Sequence, residues 1–405
     1  MGRRFDAAWH DLASIGARPD GGYDRFAWTD EDAQMRRWFA TEAASRSLTV
    51  ETDRNGNQWA WWGRRGPGAV VTGSHLDSVP GGGAYDGPLG VLSGFLAVDE
   101  LRRRSVTPVR PIAVANFVDE EGARFGLACM GSRLLCGEVA PPAARALRDT
   151  GGTTLAEAMA TNGADPAALG AEPDRLEEIS AFVELHVEQG RDLIDRGAAV
   201  GVATAIWPHG RWRFRFSGEG NHAGTTRLDD RRDPMLPFAS TVLAARQAAR
   251  RAGAHTTFGR VEVTPNWANA IASQVDAWLD ARAPTTTAVA RVVDEVTAHA
   301  RQVAAGHGVD VEITSQSSAP AVEFADELRE RLGAVLATRR RGPVPHLPTG
   351  AGHDAGVLAA FVPAAMLFVR NPTGVSHSPA EHADRHDCLA GVAALSDVLA
   401  DLACS

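Results

Sequence analysis

Residues 68–87 read GAVVTGSHLDSVPGGGAYDG, and together with the residues that follow they indicate the fold class. It begins as a short, apolar, β-branched run of the kind that forms a buried strand, and it continues into polar residues and a glycine-rich loop. Residues 91–104 then repeat apolar side chains at helical spacing and end in three arginines, where cations suit the helix dipole. A buried strand followed by an amphipathic helix predicts an α/β architecture.

Three further runs have the character of buried strands. They are RPIAVANFV at 110–118, AFVELHV at 181–187 and PAAMLFV at 363–369. A second amphipathic helical pattern covers residues 389–403. Apolar strands that alternate with helices predict one large α/β domain around a central mixed sheet.

The middle of the chain has a different pattern. Residues 211–216 read RWRFRF, an alternation of arginines and aromatic residues that is typical of a strand with one buried face. Further strands are predicted at 259–265, 274–282 and 309–315, and helices at 234–252 and 286–305. The order β-α-β-β-α-β is the ferredoxin-like arrangement. We therefore expect an inserted domain at 210–320, between the segments 1–209 and 321–405 of the larger domain.

The composition excludes several kinds of partner. The 405 residues include 41 basic and 50 acidic side chains, a net charge of −9, which does not indicate nucleic-acid binding. No apolar run reaches the roughly 20 residues that a membrane-spanning helix needs, and the N-terminus lacks a signal-peptide core. We expect a cytoplasmic protein with neither a nucleic-acid nor a membrane partner. Its four cysteines form no CxxC pair and no disulfide framework.

All 41 basic residues are arginines, because the sequence contains no lysine. This excludes Walker-A nucleotide hydrolases, pyridoxal Schiff-base enzymes and protein kinases, each of which requires a particular lysine. Metal centres bridged by a carbamylated lysine and Cys-Glu-Lys amidases are excluded for the same reason. Arginine, histidine and carboxylates must therefore perform any chemistry.

The first candidate site follows the run 68–75. His75 and Asp77 lie two residues apart where the apolar run ends, so both side chains can point to one edge of the sheet. Asp77 could orient the ring of a metal-binding histidine, and Asp86 follows in a loop whose glycines permit close approach. A histidine beside a turn aspartate, without a metal, is the structural alternative.

Two more clusters of ionisable residues accompany the runs 110–118 and 181–187. The first is Asp119-Glu120-Glu121, three carboxylates that are costly to bring together unless cations neutralise them. Beside a metal one glutamate can be a ligand and its neighbour a general base, whereas a solvated acidic loop is the alternative. In the second, Glu184, His186 and Glu188 alternate and so share one strand face, which favours a ligand or a metal there.

Two late loops carry the remaining clusters. They contain His353 and Asp354 in TGAGHDA, and His377, Glu381 and His382 in GVSHSPAEH. The clusters accompany separate strands of one α/β domain, and such sheets bind ligands outside the carboxyl ends of their strands. The histidines that lack a partner pattern are expected to be structural or surface residues: His10, His209, His255, His299, His307, His346 and His386.

Taken in order, these motifs closely resemble the N-carbamoyl-L-amino-acid hydrolase and allantoate amidohydrolase branch of the aminoacylase/carboxypeptidase-type dinuclear metallohydrolases. The resemblance spans essentially the whole chain through GSHLDSVPGGGAYDGPLGV, FVDEEGARFG, ELHVEQG, GNHAGTT, TGAGHDAG and GVSHSPAEH. It implies a catalytic domain, 1–209 and 321–405, interrupted by a ferredoxin-like lid domain, 210–320, that also mediates dimerisation.

The resemblance also implies a centre of two divalent metal ions, Zn²⁺ or Mn²⁺. The implied ligands are His75, Asp86, Glu121, His186 and His377. In this arrangement His75 and His186 bind one ion, Glu121 and His377 bind the other, and Asp86 bridges both. Imidazole and carboxylate ligands suit both metals.

The implied catalytic residues are Glu120, Asp77 and His222. Glu120 would be the general base, and His222 would stabilise the oxyanion by reaching across from the lid of the partner subunit. The implied substrate-binding residues are Gln189, His222, Asn269, Arg282 and Gly350. Of these, Gln189 would bind the ureido end, and Asn269 and Arg282 the substrate carboxylate. The alternative is that neither residue binds the substrate, and that Arg282 is an ordinary surface residue and His222 an ordinary loop residue.

Histidine at position 186 favours the ureido-hydrolysing branch, because the true peptidases of the family usually have a carboxylate there. The implied lid and the role of His222 across the subunits predict a homodimer. The overall pattern, including the stretches GRWRF and NHAGTTRLDDRRDPM, most resembles allantoate amidohydrolases. We therefore expect hydrolysis of the ureido C–N bond of allantoate, giving ureidoglycine or ureidoglycolate, ammonia and carbon dioxide in purine catabolism. N-carbamoyl-L-amino acids and β-ureidopropionate are the alternative substrates. An aminoacylase or peptidase, a non-catalytic binding protein and a hydrolase with a nucleophilic Cys129 or Cys136 are more distant alternatives.

Two residues depart from the family's usual pattern. Gly220 replaces a common alanine, and Trp267 replaces a smaller residue beside the implied carboxylate-binding Asn269. The tryptophan is expected to narrow or reshape the pocket.

Overall fold

The computed structural model describes residues 1–340 and 343–404. The chain forms two compact units, one of Met1–Ala205 with Glu323–Ser405 and one of Ile206–Val322. The two ends of the chain thus build one unit, and the segment between them builds the other. Within the described residues, no helix combines the length and the apolar character that crossing a membrane requires.

The N-terminal segment alternates strands and helices. Its strands are β1 (Thr49–Thr52), β2 (Gln58–Trp62), β3 (Ala69–His75), β4 (Ile112–Phe117), β5 (Ile179–Val187) and β6 (Val200–Ile206). Its helices are α1 (Gly2–Ala13), α2 (Asp30–Ser45), α3 (Pro88–Arg103), α4 (Met130–Cys136), α5 (Pro141–Ala146), α6 (Leu155–Thr161), α7 (Pro173–Glu178) and α8 (Asp192–Asp195).

The middle segment contains one antiparallel sheet and two long helices. Its strands are β7 (His209–Ser217), β8 (Asn221–His222), β9 (His255–Thr264), β10 (Ala270–Ile271), β11 (Gln274–Arg282) and β12 (Asp310–Ala319), and its helices are α9 (Met235–Ala252) and α10 (Thr286–Gly306). Four strands form the antiparallel sheet in the order β12-β7-β11-β9, while β8 and β10 pair as a separate ribbon. The long elements follow one another as β7-α9-β9-β11-α10-β12.

The alternating sequence of β7 explains why this sheet has one buried face. Phe214 and Phe216 are completely buried among apolar residues of the helices. On the other face, Arg213 and Arg215 donate from Nε to Asp276 Oδ1 of β11 at 2.8 and 3.1 Å. Apolar and charged side chains are thereby sorted to opposite faces, as the period of a strand requires.

The C-terminal segment completes the first unit. Its elements are β13 (Val322–Glu323), α11 (Asp326–Arg340), β14 (His346–Thr349), α12 (Asp354–Leu358), β15 (Ala364–Val369) and α13 (Arg385–Cys404). Together with the N-terminal strands they form a nine-stranded sheet in the order β1-β2-β4-β3-β5-β15-β6-β13, with β14 paired to β6, within the described residues. The strands β4, β3, β5 and β15 run parallel, and β2 and β6 flank them antiparallel. The predicted α/β class with a central mixed sheet is confirmed.

Helix α3 packs directly on the parallel strands. A Cβ atom on Gly94 would lie 2.9 Å from Val114 Cγ1, and one on Gly90 would overlap the Leu185 carbonyl oxygen. The glycines therefore let the helix approach β4 and β5 more closely than side chains would allow. This packing fixes the loop between β3 and α3 at the carboxyl edge of the four parallel strands.

Candidate metal centre

Asp86 lies at the centre of a group of imidazole and carboxylate side chains. Its Oδ1 atom is 3.1 Å from His186 Nε2 and 3.6 Å from His75 Nε2. Its Oδ2 atom is 3.4 Å from His377 Nε2, which in turn lies 3.5 Å from Glu121 Oε2. We refer to these five residues as the ligand cluster.

The ligand cluster consists of two sets of potential metal ligands that share one carboxylate. The sets are His75–Asp86–His186 and Asp86–Glu121–His377, and within each set the ligand atoms all lie within 4.8 Å of one another. These are the two sets that the sequence resemblance implies.

The carboxyl ends of the parallel strands bring the ligand cluster together. His75 is the last residue of β3, and His186 is the last but one of β5. Asp86 comes from the loop after β3, Glu121 from the loop after β4 and His377 from the loop after β15. The residues are distant in sequence but meet because parallel strands end at one edge of the sheet.

The two buried histidines direct their Nε2 atoms at Asp86. His75 Nδ1 lies 3.1 Å from the Asp77 carbonyl oxygen, and His186 Nδ1 lies 2.8 Å from the Val187 carbonyl oxygen. Because a carbonyl oxygen only accepts hydrogen bonds, each Nδ1 must carry the hydrogen, which leaves a lone pair on Nε2 of the neutral ring. Both Nε2 atoms are buried without a hydrogen-bond partner among the described residues. A lone pair that faces a carboxylate is repulsive unless a cation or a proton lies between them, so these residues fit a divalent metal ion.

The charges of the site also favour a cation. Burial opposes charge on His186, but the Asp86 carboxylate outweighs it and raises the pKa of His186. The hydrogen bond to Asp86 raises the pKa of His377 to about 9. Burial raises the pKa of Glu121 to about 7 and moves the pKa of Glu120 well above its ordinary value. Buried carboxylates resist ionisation in this way until positive charge is supplied beside them.

Glu120 and Asp77 lie beside the ligand cluster. Glu120 Oε2 is 3.7 Å from His75 Nε2, and the Cys129 thiol donates to Glu120 Oε1 at 3.3 Å. The Asp77 carboxylate accepts the backbone N–H groups of Glu120 and Glu121 at 3.1 and 3.0 Å. Its Oδ1 atom also lies 3.5 Å from His75 Nδ1. Asp77 therefore fixes the loop after β4 as well as facing the histidine that ends β3.

Polar contacts hold the Asp86 side chain and its loop. Gln189 Nε2 donates to Asp86 Oδ2 at 2.8 Å, while Gln189 Oε1 is buried without a hydrogen-bond partner in the part of the chain that the structure describes. Ser376 Oγ lies 3.0 Å from both Asp86 Oδ2 and Glu381 Oε2. Glu381 Oε1 accepts the backbone N–H groups of Tyr85 and Asp86 at 2.8 and 3.0 Å.

His353 adjoins the ligand cluster; the sequence places it in one of the two late-loop clusters but assigns it no role in the site. Its ring lies edge-on to that of His186, with centroids 4.5 Å apart, and its buried Nε2 lacks a hydrogen-bond partner within the described residues. Burial lowers the pKa of His353 well below its ordinary value, so the ring is neutral. The TGAGHDA motif identifies this loop, but nothing in the motif indicates which of its side chains points inward.

Glu184 in β5 and Glu188, which directly follows β5, have local hydrogen-bond partners. Glu184 accepts from Ser74 Oγ at 2.7 Å and from the Ala355 N–H at 2.9 Å. Glu188 accepts two backbone N–H groups at the start of α8, at 2.6 and 3.0 Å. Gly350 lies in the loop between β14 and α12. The two glutamates flank His186 in sequence, and each one holds the first residues of a neighbouring helix, α12 or α8.

The second unit carries the remaining predicted residues. The Ala223 N–H donates to the Asn269 carbonyl oxygen at 3.0 Å, which brings His222 and Asn269 together at the ribbon of β8 and β10. His222 Nδ1 accepts the backbone N–H groups of Gly224 and Thr225 at 3.0 and 3.2 Å. Since Nδ1 accepts, the hydrogen of the neutral ring is on Nε2.

Arg282 lies at the end of β11 and forms a two-point contact with Asp280. Its Nε donates to Asp280 Oδ1 at 2.7 Å and its Nη2 to Oδ2 at 3.1 Å. Trp267, two residues before Asn269, is 73% exposed. The predicted arginine is thus held by an aspartate that sequence reasoning did not single out, although Asp280 stands in the same LDAR motif.

Comparisons with known proteins identify the family of this chain. Residues 71–401 match the sequence profile described as Peptidase family M20/M25/M40. The N-carbamoyl-L-amino acid amidohydrolase of Geobacillus stearothermophilus is 36% identical, over 100% of this chain and 99% of that protein. The allantoate amidohydrolase of Escherichia coli (strain K12) is 32% identical, over 97% of this chain and 96% of that protein.

A solved structure shows the same similarity at the level of the fold. The crystal structure of an amidase of the hydantoinase/carbamoylase family from Burkholderia multivorans superposes with a TM-score of 0.89 at 30% identity. The match covers 100% of this chain and 98% of that chain. The similarity therefore extends over both units and is not confined to the motifs of the ligand cluster.

Proposed function

Because the chain belongs to Peptidase family M20/M25/M40, we propose that it is a metal-dependent amidohydrolase that cleaves the ureido C–N bond of a small carboxylate-bearing substrate. The observation that carries this proposal is the pair of ligand sets that share Asp86. Allantoate is the first candidate substrate, supported by the name of the Escherichia coli relative. N-carbamoyl-L-amino acids are the second, supported by the name of the more similar Geobacillus relative.

Two divalent cations, Zn²⁺ or Mn²⁺, are proposed to bind in the ligand cluster. His75 and His186 would hold one ion, Glu121 and His377 the other, and Asp86 both. When bound, such ions polarise a carbonyl group and make water a nucleophile at neutral pH. The nitrogen and oxygen donors of the cluster suit both metals.

Glu120 is the proposed general base. In the overall reaction, R–NH–CO–NH₂ and water give R–NH₂, carbon dioxide and ammonia. Glu120 would accept a proton from the attacking water and return it to the departing nitrogen. The Cys129 thiol and the backbone bond to Asp77 hold the glutamate in position for both transfers.

The remaining predicted residues are proposed to bind the substrate. Gln189 Oε1, which is buried without a hydrogen-bond partner in the described chain, is an acceptor for the ureido N–H groups. Asn269 and Arg282 would bind the carboxylate, since the guanidinium fork matches it. His222, with its hydrogen on Nε2, would donate to the developing oxyanion, and Gly350 would contribute backbone contacts.

The second unit is proposed to be a ferredoxin-like lid, 210–320, that also forms the contact between two chains. Its strand order β12-β7-β11-β9 with two helices supports this assignment. Apolar side chains are also exposed on one helix, α9: Met235, Leu236, Val242 and Leu243. Sedimentation velocity and a kinetic assay at the same protein concentration test the assembly. A monomer that is fully active would contradict it.

The activity is tested by ammonia release after metal-free protein is loaded with Mn²⁺. Allantoate, N-carbamoyl-L-amino acids and β-ureidopropionate are compared, with Glu120→Gln as the control variant. Turnover of allantoate alone, abolished in Glu120→Gln, is the expected result. Turnover of carbamoyl amino acids alone would keep the mechanism and change the substrate. Activity only on acyl-amino acids or dipeptides would overturn the proposal.

A further inference from the structure

We propose that Glu381 is a positioning residue that joins the two loops from which the proposed cation centre is assembled. The inference rests on the proposed function, because it concerns the same ligand cluster. Asp86 lies in the loop after β3 and His377 in the loop after β15, and Glu381 and Asp86 are 295 residues apart in sequence. The Glu381 carboxylate is the contact through which the second loop holds the backbone of the first.

Both oxygens of Glu381 take part in this contact. Oε1 accepts the N–H groups of Tyr85 and Asp86 at 2.8 and 3.0 Å. Oε2 lies 3.0 Å from Ser376 Oγ, and that hydroxyl lies 3.0 Å from Asp86 Oδ2. Glu381 thus fixes the main chain of Asp86 directly and its side chain through Ser376. The residue is only 5% exposed, so water competes little for these hydrogen bonds.

The loop after β3 closes tightly over the Glu381 carboxylate. A Cβ atom placed on Gly83 would overlap Glu381 Oε1 and Cδ. The backbone of this loop can therefore reach the carboxylate only because residue 83 has no side chain. The glycine and the glutamate together set how near Asp86 comes to His377.

Glu381 acts through other residues and is not itself a ligand. Among the described residues it belongs to none of the groups of side chains that could hold a metal ion. Its two oxygens are already engaged by Tyr85, Asp86 and Ser376. A positioning role requires an acceptor at Oε1 and a polar partner for Ser376, and it does not require a negative charge. Glutamine meets both requirements, since its amide oxygen can accept the two N–H groups and its amide nitrogen can donate to the hydroxyl.

The test compares Glu381→Ala, Glu381→Gln and Gly83→Ala without any substrate. The affinity of the metal-free protein for Mn²⁺ is measured by electron paramagnetic resonance titration, and backbone exchange at residues 85 and 86 by hydrogen–deuterium exchange. We expect Glu381→Ala to weaken Mn²⁺ binding by about 10- to 100-fold and to speed exchange at both amides. Gly83→Ala should behave like Glu381→Ala, because its Cβ displaces the carboxylate, while Glu381→Gln should stay close to the wild type.

Two matched controls separate this effect from general damage. Glu172→Ala removes a glutamate that accepts the Arg54 N–H at 3.3 Å, away from the ligand cluster. Gly66→Ala adds a Cβ at a glycine where no described atom lies within 4 Å of it. Both controls should bind Mn²⁺ as the wild type does.

Either of two results would overturn the proposal. One is wild-type Mn²⁺ affinity and wild-type exchange in Glu381→Ala, and the other is a loss in Glu381→Gln as large as in Glu381→Ala, which would mean that the charge is required. If Glu381→Ala does not fold, Gly83→Ala against Gly66→Ala decides the question. A wild-type protein that binds Mn²⁺ but hydrolyses no ureido acid would refute the proposed function and leave this inference standing.

Discussion

At the scale of single residues, Asp77 combines two tasks in one carboxylate. It faces His75 Nδ1 and accepts the N–H groups of Glu120 and Glu121. Asparagine has a single acceptor oxygen, so one of the two backbone groups would lose its partner. We expect Asp77→Asn to lower kcat by about 10- to 100-fold and the free energy of unfolding by about 1–3 kcal/mol. Steady-state kinetics and urea denaturation measure the two effects.

Asp149→Asn is the matched control for Asp77→Asn. Asp149 also uses both carboxylate oxygens: Oδ1 accepts the backbone N–H groups of Gly151 and Thr153 at 3.0 and 2.9 Å, and Oδ2 accepts Arg124 Nε–H at 3.1 Å. Asparagine has one acceptor oxygen, so it keeps the first two bonds and loses the bond from Arg124. This change should lower stability while kcat stays at the wild-type value. An Asp77→Asn enzyme with wild-type kcat would contradict the role assigned to Asp77.

Cys129 tests the alternative of a cysteine nucleophile. The residue is buried, and burial raises the pKa of its thiol well above the ordinary value, whereas a nucleophile requires the thiolate. Its contact is with Glu120, to which the thiol donates. We expect Cys129→Ala to remain active, with kcat reduced by less than about tenfold because one hydrogen bond is lost. If a folded Cys129→Ala protein showed no turnover, the result would support Cys129 as the catalytic nucleophile.

Single residues also show where prediction from the sequence stops. The ligand cluster is predictable because its residues stand in short motifs directly after recognisable strands, such as GSHLD and DEEG. The inward orientation of His353 and the contacts of Glu381 are not predictable, because they depend on how separate loops pack against each other. A sequence pattern shows which residues are close along the chain, but it does not show which residues of separate loops contact each other in the fold.

At the scale of elements, the N-terminal helix α1 supports the loop that carries Asp86. Trp9 stacks on Tyr85 with ring centroids 4.7 Å apart, and Phe5 stacks behind Trp9 at 5.5 Å. We expect Trp9→Ala to lower the free energy of unfolding by about 1–3 kcal/mol, because a partly buried aromatic stack is lost. Urea denaturation measures the change. Trp9→Phe keeps a stacking ring and should lose less, and equal losses in the two variants would refute the role of the stack.

The antiparallel sheet of the second unit is expected to lose stability in acid. Burial works against the charge of Asp276, but the hydrogen bonds from Arg213, Arg215 and Gln274 outweigh it and hold the pKa of Asp276 below its ordinary value. A carboxylate whose pKa is lower in the folded protein than in the unfolded chain stabilises the fold when the pH is above the unfolded-state pKa, which is about 3.9. This stabilisation disappears as the pH falls through the lower pKa of the folded state.

The Asp276→Asn variant isolates this contribution. At pH 7 it should unfold at a lower temperature than the wild type, and the difference should shrink as the pH falls below about 3.9. Thermal unfolding followed by circular dichroism at pH 7 and pH 3 measures both differences. A difference between variant and wild type that is independent of pH would contradict the assignment.

The elements that the sequence predicts are those with a clear period or a long apolar run. The run 181–187 corresponds to β5, Ile179–Val187, and the helical pattern 286–305 corresponds to α10, Thr286–Gly306. Helices α4 to α7 have six or seven residues each, too few for a helical period to stand out. Such short helices depend on tertiary packing rather than on local propensity, and α4, α5 and α6 pack around a small separate cluster of apolar side chains.

At the scale of the whole molecule, the order of the motifs identifies the family before any coordinate is known. The resemblance to the N-carbamoyl-L-amino-acid and allantoate amidohydrolase branch is confirmed by the family match and by relatives that align along the entire chain. The α/β class follows from alternating strands and helices. The contacts that join the two ends of the chain into one unit require the folded structure, because they link residues that no local pattern connects.

One carboxylate, Asp86, is proposed to link two cation sites, and this proposal is tested by counting the ions that each chain binds. Metal-free wild type is dialysed to equilibrium against Mn²⁺, and the bound metal per chain is counted by inductively coupled plasma mass spectrometry. We expect two ions per chain in the wild type and one in His377→Ala, which retains the buried set of His75, Asp86 and His186. A wild-type chain that binds one ion or none at saturating Mn²⁺ would contradict it.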